Sequence, residues 1–346
     1  MVHHQKNVAI FSGFHLIDDI LADVGIQYCL YRKEVGMKIL FMGTPDFAAV
    51  ILKKIIEEGH EVIAVITQPD KEKGRGNQVS FTPVKELALE YHLTVLQPVK
   101  VREPEFVEKI RGMAPEVIVV AAFGQILPAD LLAIPPYGCI NIHASLLPKY
   151  RGAAPIQYAI INGEKETGIT IMYMDVKIDT GDIILQGRIA IRDLETGGSL
   201  HDRLAVLGAD LLMEALKKVK DGTAKRIPQV DSEATYVKMI DKDMGKIDFS
   251  LPAGQIERLI RGLNPWPSAY TGYEGKILKL WRAEVEDCNT IIEPGEVIEI
   301  RKDAIAVMTG EKALIIKELQ LEGRKRLTAD AFLRGFPIPV GAKLGL

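Results

Sequence analysis

The run Lys38-Ile-Leu-Phe-Met42 and the run Glu61-Val-Ile-Ala-Val-Ile-Thr67 decide the fold class of this chain. Both are short and apolar, and the second is rich in β-branched residues, as expected for buried strands. Between them, residues 47–58 carry apolar side chains at helical spacing, and Thr44 and Pro45 suit the N-cap and the first helical position. A buried strand, a helix and a second buried strand predict a β-α-β unit of a doubly wound sheet.

The same alternation of apolar runs and helical segments continues along the chain. Strands are predicted at Leu93–Leu96, Glu116–Ala122 and Cys139–His143, and helices at Pro83–Tyr91 and Glu103–Arg111. Apolar strands flanked by helices on both sides are typical of a mostly parallel sheet whose two faces are covered. The first part of the chain is therefore predicted to be an α/β domain with a doubly wound, mostly parallel sheet.

The pattern changes beyond this sheet. Gly168–Met174 and Ile183–Ile191 are predicted to pair antiparallel, and Leu200–Lys220 is predicted to be a long amphipathic helix. From residue 244 onward, short strands at turn-like spacing predict a small OB-like β-barrel, with strands at Ala269–Tyr273, Lys276–Glu286 and Ala304–Met308 among them. The predicted organisation is an N-terminal extension at 1–36, a catalytic domain at 37–223, a linker at 224–243 and an OB-like domain at 244–346.

Composition favours a globular protein of about two domains. The 346 residues carry a formal net charge of −3, so any contact with nucleic acid must come from local basic patches. Cys29, Cys139 and Cys288 lack the spacing of a zinc site or a disulfide framework, which favours a reducing, cytoplasmic setting. No apolar run reaches the roughly 18 residues that a membrane span requires, so no membrane association is expected.

Residues 1–36 stand apart from this organisation. They lack the basic start, the unbroken apolar core and the small-residue cleavage site of a signal peptide. Met37 directly precedes the first strand, and we expect either that it is the natural start or that the extension is dispensable. The alternative is an additional helix, since Phe14–Val24 has some amphipathic character.

The turn after the first strand, Gly43-Thr-Pro-Asp46, tests for a dinucleotide site. A dinucleotide-binding turn needs three glycines so that the pyrophosphate can approach the helix N-terminus. Two of these glycines are missing, and Pro45 and Asp46 would crowd or repel the phosphates. A nicotinamide cofactor is therefore not expected.

Asn141 and His143 are the first candidates for catalysis. They lie two residues apart near the carboxyl end of a predicted strand, where ligands bind in open α/β sheets, and both side chains point to one face. A third candidate, Asp179, lies in a loop between two strands, where an acidic residue orients a histidine or acts as a base. From these residues alone, a turn-capping asparagine, a buried core histidine and a turn-forming aspartate remain alternatives.

Two of these candidates lie in longer motifs. The run His143-Ala-Ser-Leu-Leu-Pro-Lys-Tyr-Arg-Gly152 closely resembles the signature of the folate-dependent formyltransferases, and the Asp179-Thr-Gly181 loop resembles their second signature. The likeness runs from Met37 to about Arg334 and is strongest to the branch that acts on initiator tRNA. Further similar segments are Phe41–Ala48, Thr67–Asp70, Gly74–Gly76, Pro83–Lys85, Gly152–Gln157, Glu166–Met172 and Asn264–Pro267.

The resemblance implies that a formyl group moves from 10-formyltetrahydrofolate to the amino group of methionine on initiator methionyl-tRNA. Asn141 would donate an N–H to the oxyanion of the tetrahedral intermediate, and a protonated His143 would donate a second. Asp179 would hold His143 charged and relay protons from the amine to the leaving nitrogen. A covalent enzyme intermediate, a metal ion and an obligate protein partner are not expected.

The resemblance also implies where the two substrates bind. For the folate we expect contacts from Phe123, Gly124, Gln125, Ile126, Leu127, Ser145, Leu146, Leu147, Pro148, Asp175 and Val176. For tRNA we expect contacts from Lys71, Lys73, Arg75, Lys225, Arg324, Lys325 and Arg326. Without the resemblance, residues 123–127 would be an ordinary strand-to-helix loop and residues 68–82 a solvated polar loop.

The sequence leaves two other kinds of function open. Enzymes that formylate glycinamide ribonucleotide or sugar nucleotides share the Asn–His–Asp site, and the sugar-nucleotide enzymes have a similar C-terminal tail. The basic loop around Gly74-Arg-Gly76 distinguishes the tRNA branch from them. A nonenzymatic nucleic-acid-binding OB protein would need none of the three catalytic residues, and it predicts a more basic tail than the near-neutral one of this chain.

Overall fold

The computed structural model describes residues 36–73, 78–288 and 292–345. The extension predicted at 1–36 therefore lies, apart from Gly36, outside the described residues. From Gly36 onward the chain forms one compact unit. In the described part of the chain, no helix combines the length and the apolar character required to cross a bilayer.

The first part of the chain alternates strands and helices as predicted. Its elements are β1 (Lys38–Gly43), α1 (Asp46–Glu57), β2 (Glu61–Ile66), β3 (Lys71–Lys73), β4 (Gln78–Ser80), α2 (Pro83–Glu90), β5 (Val95–Leu96), α3 (Pro104–Met113), β6 (Val117–Ala121), α4 (Ala129–Leu132), β7 (Cys139–His143), β8 (Arg151–Gly152), α5 (Pro155–Ile161), β9 (Glu166–Tyr173), β10 (Ile183–Ala190), α6 (Gly197–Lys220) and β11 (Tyr236–Val237).

Seven of these strands form one sheet in the order β10-β9-β7-β6-β1-β2-β5. The five strands from β7 to β5 are parallel to their neighbours, whereas β9 runs antiparallel to both β7 and β10. The doubly wound, mostly parallel sheet and the antiparallel pair after it are both confirmed. The two cores lie on opposite faces, because alternate residues of β1 and β6 point to opposite sides.

One local prediction is wrong. Pro45, rather than Thr44, occupies the N-cap of α1, and its side chain offers no capping hydrogen bond. The Thr44 hydroxyl donates instead to the backbone carbonyl of Phe123, 3.4 Å away. This threonine therefore joins the first strand-to-helix turn to the loop after β6, which matters for the site described below.

The second part of the chain is predominantly β-structure. Its elements are α7 (Ala253–Gly262), β12 (Ala269–Tyr273), β13 (Lys276–Glu286), β14 (Val297–Arg301), β15 (Ala304–Met308), β16 (Ala313–Leu321), β17 (Leu327–Thr328) and α8 (Ala329–Gly335). The strands pair antiparallel in the order β12-β13-β16-β15-β14, with β17 added to β16. The predicted β-domain is confirmed as an antiparallel sheet with its own core, and its closure into an OB-type barrel stays a prediction.

The segment predicted as a linker, 224–243, returns to the first part of the chain, where β8 and β11 form a separate two-stranded sheet. Its strand β11 pairs in parallel with β8, so that Tyr236 lies opposite Arg151 and Val237 opposite Gly152. A Cβ atom on Gly152 would lie 2.2 Å from the Val237 carbonyl oxygen, which explains why this close approach requires glycine. The segment therefore packs beside the motif that carries His143.

Candidate functional site

A cavity of about 630 Å³ opens at the carboxyl ends of β6 and β7. This is the edge at which open α/β sheets bind ligands, and the volume is in the range of small-molecule sites. Asn141, His143 and Asp179 all line it. The three residues that the sequence singled out are therefore brought together in one cleft.

Asn141 and His143 reach this cavity from β7. Asn141 lies between Val120 of β6 and Met172 of β9, and His143 lies opposite Thr170. Among the described residues, no protein group forms a hydrogen bond with the Asn141 side chain, although it lines the cavity. Its amide N–H groups are therefore available to a bound ligand.

The orientation of His143 is set by the backbone. Its Nε2 lies 2.9 Å from the Tyr150 carbonyl oxygen. Because a carbonyl oxygen only accepts, Nε2 must carry a hydrogen and donate it. Nδ1 therefore faces the other way, and the Oδ2 atom of Asp179 lies 3.6 Å from it. The imidazole is 6% exposed and lines the cavity.

Asp179 approaches from the loop between β9 and β10. Its Oδ2 accepts a hydrogen bond from the Gly152 backbone N–H at 2.8 Å. The residue has φ +54°, a left-handed conformation that aspartate adopts more readily than most residues but that still requires support. Two residues on, a Cβ atom at Gly181 would lie 1.8 Å from the Tyr173 carbonyl oxygen, so the loop can fold against β9 only with glycine there.

The first predicted folate segment, Phe123–Leu127, lines the cavity throughout. Its backbone is held from outside the segment: the Phe123 carbonyl accepts from the Gln68 amide at 3.1 Å. The Gln125 side-chain oxygen accepts from the Val101 backbone N–H at 3.0 Å. Ile126 is 67% exposed although it lines the cavity, so its side chain is available to a ligand.

The second predicted folate segment, Ser145–Pro148, lies outside the cavity wall. Ser145 is fully buried and its hydroxyl donates to the Lys149 carbonyl at 2.7 Å. Leu147 packs in a small apolar cluster with Met172 and Ile183. These contacts give the segment a supporting position behind the site, and direct contact with folate stays a prediction.

Of the third predicted folate segment, Asp175 and Val176, only Asp175 lies in the cavity wall. Asp175 lines the cavity, and its Oδ1 accepts from the Val176 backbone N–H at 2.6 Å. Val176 lies outside the wall and is 57% exposed. Lys177 and Ile178 line the cavity in its place, so the loop contributes a positive charge and an apolar surface next to Asp179.

Several other residues of the wall were not among the predicted site residues. Gly152 ends the signature and residues 153–157 follow it, and together they form one side of the wall, a position that their adjacency to His143 could have indicated. Pro45 and Phe47 come from the first strand-to-helix turn. His201 comes from α6 and Met239 from beyond β11, and no local pattern connects them with the site.

The polar loop predicted to meet tRNA is in part a short hairpin of β3 and β4. Its base is anchored: the Lys85 ammonium donates to Asp70 and, at 2.9 Å, to Gln97, whose amide donates to Asp70 at 2.8 Å. Lys71 is exposed and belongs to β3. The Lys73 backbone is in β3 but its side chain, like the whole of Arg75, lies outside the described residues.

The other predicted tRNA residues are all exposed. Lys225 follows α6, and Arg324 and Lys325 lie between β16 and β17. Arg326 differs from them, because its Nε donates to Glu318 at 2.7 Å and its guanidinium lies 5.0 Å from the Trp281 ring centroid. The structure thus places these residues on two separate elements, outside the cavity wall.

Nothing in the described part of the chain offers a metal centre or an activated thiol. No group of three or more His, Cys, Asp or Glu side chains in these residues is arranged to hold a metal ion. Burial raises the pKa of the Cys139 thiol to about 12, which makes it a poor nucleophile. Asn141, His143 and Asp179 contribute an amide, an imidazole and a carboxylate to the cavity, and Asp175, Lys177 and His201 also line it.

The sequence and the fold were compared with those of known proteins. A model described as formyl transferase matches residues 37–216, and one described as formyl transferase, C-terminal domain, matches residues 239–337. Two solved structures have the same fold. HypX from Aquifex aeolicus in complex with tetrahydrofolic acid has a TM-score of 0.61 and 19% identity, and the match covers 88% of this chain and 48% of that one. WlaRD, a sugar 3N-formyl transferase, has a TM-score of 0.61 and 20% identity, and the match covers 84% of this chain and 99% of that one.

Curated relatives are much more similar in sequence. Methionyl-tRNA formyltransferase from Caldanaerobacter subterraneus is 55% identical over 309 residues, which cover 89% of this chain and 100% of that protein. Methionyl-tRNA formyltransferase from Geobacter sulfurreducens is 51% identical over 310 residues, which cover 90% of this chain and 97% of that protein. Identity at this level over the whole of the relatives shows the family: this chain belongs to the methionyl-tRNA formyltransferases.

Proposed function

We propose that this protein transfers the formyl group of 10-formyltetrahydrofolate to the amino group of methionine on initiator methionyl-tRNA, with Asn141, His143 and Asp179 as the catalytic residues. The observation that carries the proposal is their convergence in one cavity of about 630 Å³. Curated relatives about half identical to this chain bear the name of this activity. A solved structure of the same fold is described in complex with tetrahydrofolic acid.

The first chemical step forms a bond between the methionyl nitrogen and the formyl carbon. The carbonyl electrons move onto oxygen and a tetrahedral oxyanion forms. The unpartnered amide of Asn141 supplies a donor for that oxygen. A preorganised donor of this kind is worth about 10²–10³ in rate, because it strengthens as the negative charge develops.

The second step requires the movement of one proton. The attacking amine must lose it, and N10 of the folate must gain it when the bond between N10 and the formyl carbon breaks. Nδ1 of His143 is the ring atom free to exchange it, because Nε2 is committed to the Tyr150 carbonyl. The nearby Asp179 carboxylate stabilises the imidazolium formed in between.

The folate would bind against the wall formed by residues 123–127 and the Asp175–Asp179 loop. The tRNA would contact the hairpin of β3 and β4 and the exposed basic residues near 225 and 324–326. Within this proposal, residues 37–223 form the catalytic domain, 224–243 the connection and 244–346 the tRNA-contacting domain. Initiator tRNA is used where translation starts, so the proposed location is the cytoplasm.

A direct assay tests the proposal. The protein is incubated with 10-formyltetrahydrofolate and charged initiator tRNA, and formylmethionine is measured after the ester is hydrolysed. Charged elongator tRNA is the specificity control. An amino-sugar nucleotide is the second control, since a protein of the same fold is a sugar 3N-formyl transferase. Formylation of the sugar but not of the initiator tRNA would reject the proposal.

A further inference from the structure

The loop that carries Asp179 is held by a residue from the segment predicted as a linker. The side-chain Nε2 of Gln229 donates to the Asp179 carbonyl at 2.9 Å and to the Gly181 carbonyl at 2.8 Å. One amide group thus bridges the two backbone carbonyls that flank the turn. Because Asp179 has a left-handed backbone, these bonds support a conformation that the residue would not keep by itself.

The orientation of the Gln229 amide is fixed by Arg151. The Oε1 atom of Gln229 accepts from Nε of Arg151 at 3.1 Å and from Nη2 at 2.9 Å. A guanidinium group only donates, so the amide oxygen must face it and the NH₂ group must face the loop. Arg151 is 1% exposed, which keeps water from competing for this contact.

Arg151 is itself part of the chain that shapes the site. It lies in β8 directly before Gly152, whose N–H donates to the Asp179 carboxylate at 2.8 Å. Its Nη1 also donates to the Tyr236 hydroxyl at 3.1 Å, across the β8–β11 pair. The Asp179 loop is therefore fixed at both ends: its carboxylate by the backbone of β8 and its carbonyls by Gln229.

We propose that Gln229 is a positioning residue for catalysis: oriented by the buried Arg151, it holds the Asp179 loop so that the carboxylate stays beside Nδ1 of His143. The inference rests on the proposed function, since it concerns the same catalytic carboxylate. Gln229 contacts neither His143 nor the reacting atoms and acts only through Asp179. Loss of its amide hydrogens should therefore slow the chemical step more than it weakens the binding of the folate, which is proposed to contact the same loop.

The test compares Gln229→Glu with Gln229→Met in formyl transfer at saturating tRNA and folate. Gln229→Glu keeps an acceptor for Arg151, so the buried guanidinium retains a partner, but it replaces the donor to the two carbonyls. Gln229→Met removes the donor without adding charge. In both variants we expect kcat to fall about 10- to 100-fold, as for a small misplacement of a catalytic group, KM for tRNA to stay within about two-fold of the wild type, and KM for the folate to change by a smaller factor than kcat.

Gln320→Glu is the matched control. Gln320 also accepts from a side-chain N–H, that of Trp281 at 3.1 Å, and donates to a backbone carbonyl, that of Arg324 at 2.7 Å, but it lies in the second sheet. Because Arg324 is a proposed tRNA contact, this control is compared by kcat at saturating tRNA, which should equal that of the wild type. The thermal unfolding midpoint of each variant shows whether a loss of activity follows from unfolding instead.

A second readout separates positioning from simple stability. If Gln229 acts through Asp179, the pH dependence of kcat in the uncharged Gln229→Met variant should change in the same direction as in Asp179→Asn, because both changes weaken the pairing of the carboxylate with Nδ1 of His143. A folded Gln229→Met variant with wild-type kcat, or Gln229 variants whose pH profiles superimpose on that of the wild type, would overturn the inference. A wild-type protein that transfers no formyl group would instead reject the proposed function.

Discussion

The Oδ2 atom of Asp179 lies 3.6 Å from Nδ1 of His143, and the same oxygen accepts a 2.8 Å hydrogen bond from the Gly152 backbone N–H. The carboxylate is therefore positioned by the backbone and remains close enough to pair with the imidazole when Nδ1 is protonated. In the proposed mechanism, this relationship places His143 at the centre of the proton transfer. It also separates the roles of the two ring nitrogens, since Nε2 is occupied by the Tyr150 carbonyl.

His143→Ala should abolish most of the activity. The variant loses the group that moves the proton, so we expect kcat to fall by at least about 10²-fold, the lower end of the range for general acid–base catalysis. Formylation is measured in a single turnover with saturating donor. His92→Ala, at an exposed histidine, is the control. Wild-type turnover in a folded His143→Ala variant would remove this residue from the mechanism.

Asn141→Ala should lower kcat more than it changes KM. The amide has no protein partner among the described residues, so its removal should change the stability of the fold little. The oxyanion would lose one hydrogen-bond donor. We expect a loss of about 10²–10³ in kcat, as for other oxyanion donors. Asn141→Asp should lose at least as much, because a carboxylate would repel the developing charge. A KM effect alone would show that Asn141 binds substrate and does not stabilise the transition state.

Gly152→Ala tests the close approach of β8 and β11. The added methyl group would lie 2.2 Å from the Val237 carbonyl oxygen at a residue with φ +114°. We expect the free energy of unfolding to fall by about 2–5 kcal/mol, from the backbone strain and the overlap together. Denaturant unfolding measures it. Gly222 has φ +69°, but a Cβ atom added there would have no atom within 4 Å. Gly222→Ala should therefore lower the free energy of unfolding only by the backbone strain, about 1–2 kcal/mol.

Cys139 should resist alkylation in the folded protein. Burial raises the pKa of its thiol to about 12, so at pH 8 only roughly 1 in 10⁴ molecules carries the thiolate that reacts. Cys288 is less buried than Cys139 and should be labelled before it. Iodoacetamide treatment followed by peptide mass spectrometry checks the order. Labelling of Cys139 at the rate of Cys288 would contradict the buried placement.

Arg75→Ala should raise KM for charged tRNA while leaving KM for the folate unchanged. The side chain lies outside the described residues, and the expectation comes from the resemblance and from the positive charge of the loop. The loss should diminish at high salt, because phosphate contacts weaken as salt rises. Arg111→Ala, at an exposed arginine of α3, is the matched control. Equal losses for both substrates would contradict the assignment of this loop to tRNA.

Local pattern was sufficient to predict most of the fold. Strands β7, β12, β13 and β15 have the predicted bounds, because alternating or continuous apolar runs bounded by turn residues leave few other choices. The same periodicity correctly placed Asn141 and His143 together at the strand end. The N-cap of α1 was missed because the Thr44 hydroxyl donates to a carbonyl 79 residues away, a partner that local rules do not include.

The support of the site could not be predicted from the sequence. Gln229 contacts residues that are 48 to 78 positions distant along the chain, and its segment has the composition of a linker. His201 reaches the cavity from a helix whose pattern indicates only packing. Contacts of this kind depend on how separate elements meet, and neither propensity nor periodicity carries that information.

The β8–β11 pair contains only two residues in each strand, yet it includes Arg151, which orients Gln229 against the Asp179 loop. Short pairings outside the main cores open locally at a lower free energy than the whole fold. On warming, the enzyme should therefore become inactive, reversibly, at a temperature where both hydrophobic cores are still intact. Engineering for heat tolerance would gain more from reinforcing this two-residue pair than from repacking either core.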